Sequence, residues 1–294
     1  MSFVIEPAFA KINLYLDIVG KRDDGYHDIL SIMQNINLCD IIKITKNENS
    51  EIKIICSKQE LITKPEENLA YRAAKMFFEE YFVENAGVII ELEKRIPISA
   101  GMAGGSADAA ATLRALNKLF GNPFSKEKLC EIGKKIGADV PFCIVGGTQI
   151  ASGIGEKLKQ TKGLEHCFIV AACGKDAIST PTAYKKLDER FNNFSNYKWG
   201  KGFDELVEYL AKGDIVTASN FMFNVFEEIT NENSSVRKIK SILTKHGSKF
   251  SMMSGSGPSV FGIFYNKADA DNANRDLLCE DITSYVCEPI NFID

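Results

Sequence analysis

The sequence is poor in residues that build metal and redox sites. Its 294 residues include only three histidines, His27, His166 and His246, and none of its eight cysteines form a C-x-x-C pair. A zinc site is therefore not expected. Isolated cysteines at apolar positions, such as Cys143 after Phe142 and Cys167 before Phe168, read as small hydrophobes in a reducing, cytoplasmic setting. No stretch of about 18 apolar residues occurs, so no membrane span is expected. The opening MSFVIEPAFAKINL lacks the basic segment and long apolar run of a secretion signal. Neither sign of charge dominates: Lys+Arg 35 against Asp+Glu 39 gives −4. A chain this mildly acidic has no general pull toward nucleic acid or anionic membrane, so any phosphate must be held by local groups. Internal repeats and low-complexity tracts are absent too. No apolar stripe is strong enough to decide an oligomeric state.

What remains is an ordinary globular composition, 45% hydrophobic and 25% charged. The length suits one large domain or two ordinary ones. From Phe3 to Val19 the chain alternates, with Ile12, Leu14, Leu16 and Ile18 on one face and Lys11, Asn13, Tyr15 and Asp17 on the other. That pattern predicts a strand with one buried and one polar face. Asp23-Asp24-Gly25 supplies a turn. Further strands are expected over 30–45, 52–56, 88–93, 167–172, 260–265 and 283–288. Helical spacing predicts helices over 69–82 and 126–136, near 203–211, 214–229 and 234–246, and from about 267. The Gly-rich stretch 146–155 marks a domain boundary, dividing 1–153 from 154–294. The expected class is α+β, with strands and helices interspersed in both halves.

The segment PISAGMAGGSADAAATLRALNKLF, residues 97–120, begins with glycines that break regular structure and continues as a strong helix former from Ser106. A loop of small residues feeding a helix N-terminus can cradle an anion with backbone N–H groups. The same loop could also be a tight turn or a packing point. Familiar phosphate motifs are missing: GxxxxGK[ST], GxGxxG and the protein-kinase H-R-D and D-F-G signatures do not occur.

Three segments narrow the field: PAFAKINLYLDIVGKRDDGYHDI (7–29), PISAGMAGGSADAAATLRALN (97–117) and MMSGSGPSVFGIF (252–264). Together they closely resemble the GHMP kinase superfamily. Within it, AKINL, GKRDDGYH and GADVPF resemble the branch acting on a cytidine diphosphate-linked methylerythritol in the non-mevalonate isoprenoid route. The resemblance runs from about Pro7 to Phe264 and implies a two-domain α+β fold with its active site in the interdomain cleft. It also implies phosphoryl transfer from ATP, with Mg2+, to a hydroxyl of a small molecule. One departure is visible: the family loop often carries two serines, and here Ser106 is followed by Ala107.

The resemblance assigns roles to particular residues. Pro97, Ala100, Gly101, Met102, Ala103, Gly104, Gly105 and Ser106 would hold the ATP phosphates. Asn68 would meet adenine, or only cap a helix. Asp139, in GADVPF, would be the catalytic aspartate that orients the acceptor hydroxyl or takes its proton; alone it would read as a capping turn residue. Lys11, in AKINL, would be the second catalytic residue, pairing with Asp139, with Asn13 beside it at the substrate. Tyr26 would stack on cytosine and His27 would hydrogen-bond it. Tyr184 could cover the opposite face of the base, or be a core helix aromatic. Gly255, Ser256 and Gly257 would close over the acceptor. For magnesium, Ser106 is the one side chain suggested, and the metal ligands stay open. Two rival readings are weighed: a kinase of another GHMP acceptor such as homoserine or mevalonate, which Gly25-Tyr26-His27 disfavours, and a nucleotide-sensing module without turnover.

Overall fold

The computed structural model describes residues 2–47, 49–82, 87–176, 178–194, 197–231 and 234–292. Two long strands organise it. β1 (Phe3–Lys21) and β2 (His27–Asn47) run antiparallel along almost their whole lengths, through residues rich in Ile, Leu and other good strand formers. The turn between them is closed by a hydrogen bond from the Arg22 N–H to the Tyr26 carbonyl (2.8 Å), and Gly25 supplies the positive φ of 85° that it needs. The later strands are β3 (Ile52–Cys56), β4 (Gly87–Glu93), β5 (Thr148–Gly153), β6 (Lys157–Gln160), β7 (Phe168–Cys173), β8 (Phe223–Asn224), β9 (Phe250–Met253), β10 (Ser259–Phe264), β11 (Ser284–Cys287) and β12 (Pro289–Ile290). One sheet is ordered β3-β4-β2-β1-β8, with β5 and β12 on further stretches of β2 and β6 on β5. The second is ordered β11-β7-β10-β9, all antiparallel.

Helices α1 (Leu69–Glu80), α2 (Gly104–Leu119), α3 (Lys126–Ile136) and α4 (Val140–Val145) belong to the first half. The alanine-rich α2 lies directly on β1 and β2, and the others pack around it. Small side chains allow this close approach, and α2 is buried on nearly every side. The second half adds α5 (Thr180–Arg190), α6 (Phe203–Lys212), α7 (Ile215–Ser219), α8 (Ser235–Lys245) and α9 (Lys267–Cys279). The second sheet sorts its residues by the period of two. Ile169, Ala171, Phe261 and Ile263 join the large core shared with the first half, while Val170, Ala172, Val260 and Phe264 join a smaller core with residues of α8 and α9. Among the described residues, no helix is long and apolar enough to cross a membrane.

Several sequence expectations need correction. β1 does not have a solvated face: Lys11, Asn13, Tyr15 and Asp17 are all buried, and the second half of the chain reaches Asn13 through Ser254, Tyr15 through Lys201 and Asp17 through Tyr197. The helix expected over 214–229 is broken. Asn224 takes the Phe226 N–H on its side-chain oxygen and donates to the Met253 and Gly255 carbonyls, which draws the backbone out of helix and into β8. α2 starts two residues before Ser106, at Gly104. A Cβ at Gly104 would stand 3.1 Å from Ile96, and one at Gly105 3.3 Å from Leu69, so these glycines serve packing of the first turn. The Gly-rich stretch 146–155 is not all loop, since it contains β5. All eight cysteines are unpaired; Cys143 and Cys167 are buried as expected, whereas Cys279 is exposed.

Candidate active site

One cavity of about 1290 Å³ is lined by residues from both halves of the chain. At one end lies the glycine-rich loop. Ala103 occupies the cap position of α2 in a left-handed conformation, and no side chain caps the helix. The first-turn N–H groups therefore lack the side-chain oxygen that usually satisfies one of them, and they sit at the positive end of a 16-residue helix. An anion fits there. Gly101 has φ of 78°, and a Cβ on it would lie 2.3 Å from the Ser254 carbonyl oxygen. The loop thus presses its backbone against the 254–257 loop of the second half.

The other side of this junction is built on β1. The β1–β2 register shifts between Phe9 and Lys11, and the freed Lys11 N–H bonds the Met102 carbonyl at 3.2 Å. The Lys11 ammonium donates to Asn13 Oδ1 at 2.6 Å and lies 4.0 Å from Asp139 Oδ2. Asp139 precedes α4, but its carboxylate makes no capping bond and is a third exposed. It remains available to the cavity. Asn13 Oδ1 also accepts the Gly255 N–H at 3.0 Å. Ser254 accepts the Asn13 N–H (3.3 Å) and donates to the Gly101 carbonyl (3.2 Å). Gly257 N–H closes a turn onto the Ser254 carbonyl. The three sequence segments thus meet around Lys11.

At the far end stand Tyr26 and His27. Tyr26 is 61% exposed on the rim, while the His27 ring is buried. Tyr184 does not stand free opposite Tyr26: its ring stacks on His27, with centroids 4.8 Å apart, and meets Phe226 edge-on. Burial first, then the Asp139 charge, pushes the Tyr184 hydroxyl up to about 12. Asn68 caps α1 by accepting the Ala70 N–H at 2.9 Å, and it also lines the cavity near the loop. Every expected site residue lines the cavity except Met102, whose side chain is buried and whose carbonyl alone serves the site.

Sequence reasoning missed several residues. Lys94 lies buried between Asp40 and Asp108, hydrogen-bonded to both. Burial works against its charge, but the two carboxylates outweigh this and hold its ammonium above the usual lysine range. Asp108 is pushed well upward, chiefly by burial, and its Oδ1 has no partner. Arg114 on α2 donates to the Cys143 carbonyl (2.7 Å), the Pro7 carbonyl (2.7 Å) and Glu6 (3.1 Å). One guanidinium therefore ties together the elements that carry the loop, Asp139 and Lys11. Asp188 on α5 holds His27 and Lys21. Only α5 had a readable signal: Ser179 caps it and Pro181 lies in its first turn.

Comparison with known proteins gives a consistent answer. The family of GHMP kinases N terminal domains matches residues 68–147, and that of GHMP kinases C terminal domains matches residues 206–281. A 4-diphosphocytidyl-2-C-methyl-D-erythritol kinase of Caldicellulosiruptor saccharolyticus is 44% identical over 289 residues, covering 97% of each chain. A crystal structure of 4-(cytidine 5'-diphospho)-2C-methyl-D-erythritol kinase superposes with a TM-score of 0.75 at 27% identity, covering 97% of this chain and 99% of that one. The Methanococcus jannaschii mevalonate kinase shares the fold, with a TM-score of 0.76 at 17% identity over 99% of this chain and 98% of that one.

Proposed function

The chain belongs to the GHMP kinases, with the 4-diphosphocytidyl-2-C-methyl-D-erythritol kinases as its relatives, and from this premise we propose how its residues do the work. The enzyme uses ATP to phosphorylate the 2-hydroxyl of 4-diphosphocytidyl-2-C-methyl-D-erythritol, a step in the non-mevalonate route to isoprenoid precursors. The N-terminal unit (1–153) supplies the phosphate loop, Lys11, Asp139, Tyr26 and His27. The C-terminal unit (154–294) supplies Tyr184 and Gly255-Ser256-Gly257.

One observation carries the residue assignment. Lys11 and Asp139 lie 4.0 Å apart in a single cavity that has the glycine loop at one end and Tyr26-His27 at the other. ATP phosphates rest on the backbone of 101–106 and the first turn of α2, with Asn68 near adenine. The cytidine end docks at Tyr26 and His27, which brings the 2-hydroxyl to Asp139. Asp139 accepts the hydroxyl proton as the oxygen attacks, and Lys11 stabilises the charge gathering on that oxygen. Asn13 fixes the Lys11 ammonium and, through Gly255, ties it to the closing loop. Phosphoryl transfer asks for little beyond such positioning and charge.

Magnesium fits this reading as an ion carried mainly by the ATP phosphates. No cluster of three His, Cys, Asp or Glu stands ready to cage a metal among the described residues. The Ser106 hydroxyl lines the cavity beside the loop, and Asp108 offers an unpartnered carboxylate oxygen there. When bound, the ion neutralises phosphate charge.

The test is a coupled ADP-release assay with ATP, magnesium and the cytidylated substrate, run beside homoserine, mevalonate and galactose. Turnover with the cytidylated substrate alone, abolished by Asp139→Asn, is the expected outcome. Turnover with another acceptor would remove the roles given to Tyr26 and His27. ATP binding without turnover on any acceptor would point to a sensing module.

A further inference from the structure

His27 is held more tightly than a residue that only lines a cavity. Its Nε2 lies 2.8 Å from Asp188 Oδ1, and the other oxygen of Asp188 takes the Lys21 ammonium at 2.7 Å. Lys21 is itself held by Asn193 Oδ1 at 2.8 Å. One face of the imidazole stacks on Tyr184, and Phe194 meets its edge at 5.9 Å. Burial works against the Asp188 charge, but the bonds from Lys21 and His27 outweigh it and keep the carboxyl below its usual range.

A carboxylate can only accept. Nε2 must therefore carry the hydrogen, and in the neutral ring Nδ1 is left with a lone pair. Nδ1 makes no hydrogen bond to any described residue. Cytosine offers a donor on its exocyclic amine where uracil-type bases offer a carbonyl acceptor. A lone pair on Nδ1 matches the first and opposes the second. We propose that Asp188, through His27, makes this site choose cytosine over uracil. The proposal rests on the reading of His27 as the base-facing residue. Asp188 is then a positioning residue that acts through the imidazole, and Lys21 orients Asp188.

An asparagine at 188 inverts the arrangement. The Lys21 ammonium has no lone pair, so it claims the amide oxygen, and the amide NH2 turns to His27 Nε2. Nδ1 then carries the hydrogen and becomes a donor, which suits the uracil carbonyl.

The experiment is calorimetric titration of the full chain with CDP, UDP and ATP. The wild type binds CDP more tightly than UDP by on the order of 10- to 100-fold, as an opposed polar pair demands. Asp188→Asn brings the two affinities together or reverses them, Asp188→Ala reduces the preference without reversing it, and ATP affinity is unchanged in both. A cytosine preference that survives in Asp188→Asn overturns the proposal while leaving the cytidine site in place. A wild type that binds neither CDP nor UDP overturns the reading of the base site itself, and this proposal with it. A second measurement needs no variant to fold. With three histidines in the chain, the His27 ring nitrogens are assignable by 15N NMR. In the neutral ring a protonated Nε2 with an unprotonated Nδ1 is expected; a neutral ring with its hydrogen on Nδ1 would overturn the proposal.

Discussion

The two ends of the cavity are built from different materials. The end proposed for phosphate is made of backbone: a left-handed Ala103, a Gly101 pressed against the Ser254 carbonyl, and a helix N-terminus without a side-chain cap. The end proposed for the base is made of side chains from both halves, with His27 stacked on Tyr184 and bonded to Asp188. Backbone donors suit a group that every ATP-using relative shares, because they read charge and shape without reading identity. Side chains suit the end that must distinguish one acceptor from another. The proposed assignment puts the common part of the reaction where substitution is hardest, and the particular part where single side chains can be exchanged.

The largest effect comes from breaking the junction between the ends. Asp139→Asn lowers kcat by on the order of 10²- to 10⁴-fold, the usual contribution of a positioned base. Lys11→Met falls into a similar range. Both are read by ADP release at saturating substrates, with CDP and ATP binding retained; near-normal turnover in Lys11→Met would remove it from the chemistry. Next comes the backbone end. Gly101→Ala must strain a positive φ and push against the Ser254 carbonyl, costing about 1–3 kcal/mol or more in stability. Thermal unfolding checks that loss. Calorimetry should show ATP affinity lost and CDP affinity kept, and equal loss of both would erase the distinction between the ends. At the base end, Tyr26→Ala weakens CDP roughly 10-fold, as stacking of about 1–3 kcal/mol implies, whereas Tyr26→Phe does not. ATP affinity stays as it is.

The smallest effect tests the wall behind the base end. Asp17 is buried and accepts from Tyr197 and the Gly200 N–H, which anchors residues 197–200. Burial outweighs those bonds and holds its pKa above the ordinary value. The folded chain therefore keeps this proton after the unfolded chain has lost it. The resulting stability is fully present below the ordinary carboxylate value of about 4 and declines as pH rises through the raised one. Melting temperatures measured across that window should fall for the wild type relative to Asp17→Asn. Parallel pH profiles would mean that Asp17 stays ionised.

Much of this was legible in the sequence, for local reasons. The glycine loop and the helix after it follow from backbone chemistry at consecutive positions, and the alternation of β1 was visible residue by residue. The burial of its polar face was not, because the covering residues come from the second half, as with Ser254 and Tyr197. Asp139 stood out only through resemblance; by local pattern it is a capping residue, and only the structure shows that its carboxylate does not cap. Lys94, Asp40 and Asp108 are separated by up to 68 positions in the chain and look like ordinary surface charges until they are brought together. The break at Asn224 was likewise hidden, since the carbonyls that claim its amide lie in the 253–255 segment.

The cavity is one continuous volume, with Lys11 and Asp139 between its two ends. A chamber of that kind has no use for a protein-bound carrier of the transferred group. On the proposed assignment both substrates are aboard before either product leaves, and initial-rate plots against one substrate are expected to intersect when the other is varied. The transfer is then a single displacement that turns the phosphorus inside out, and a chirally labelled γ-phosphate is expected to emerge with its configuration inverted.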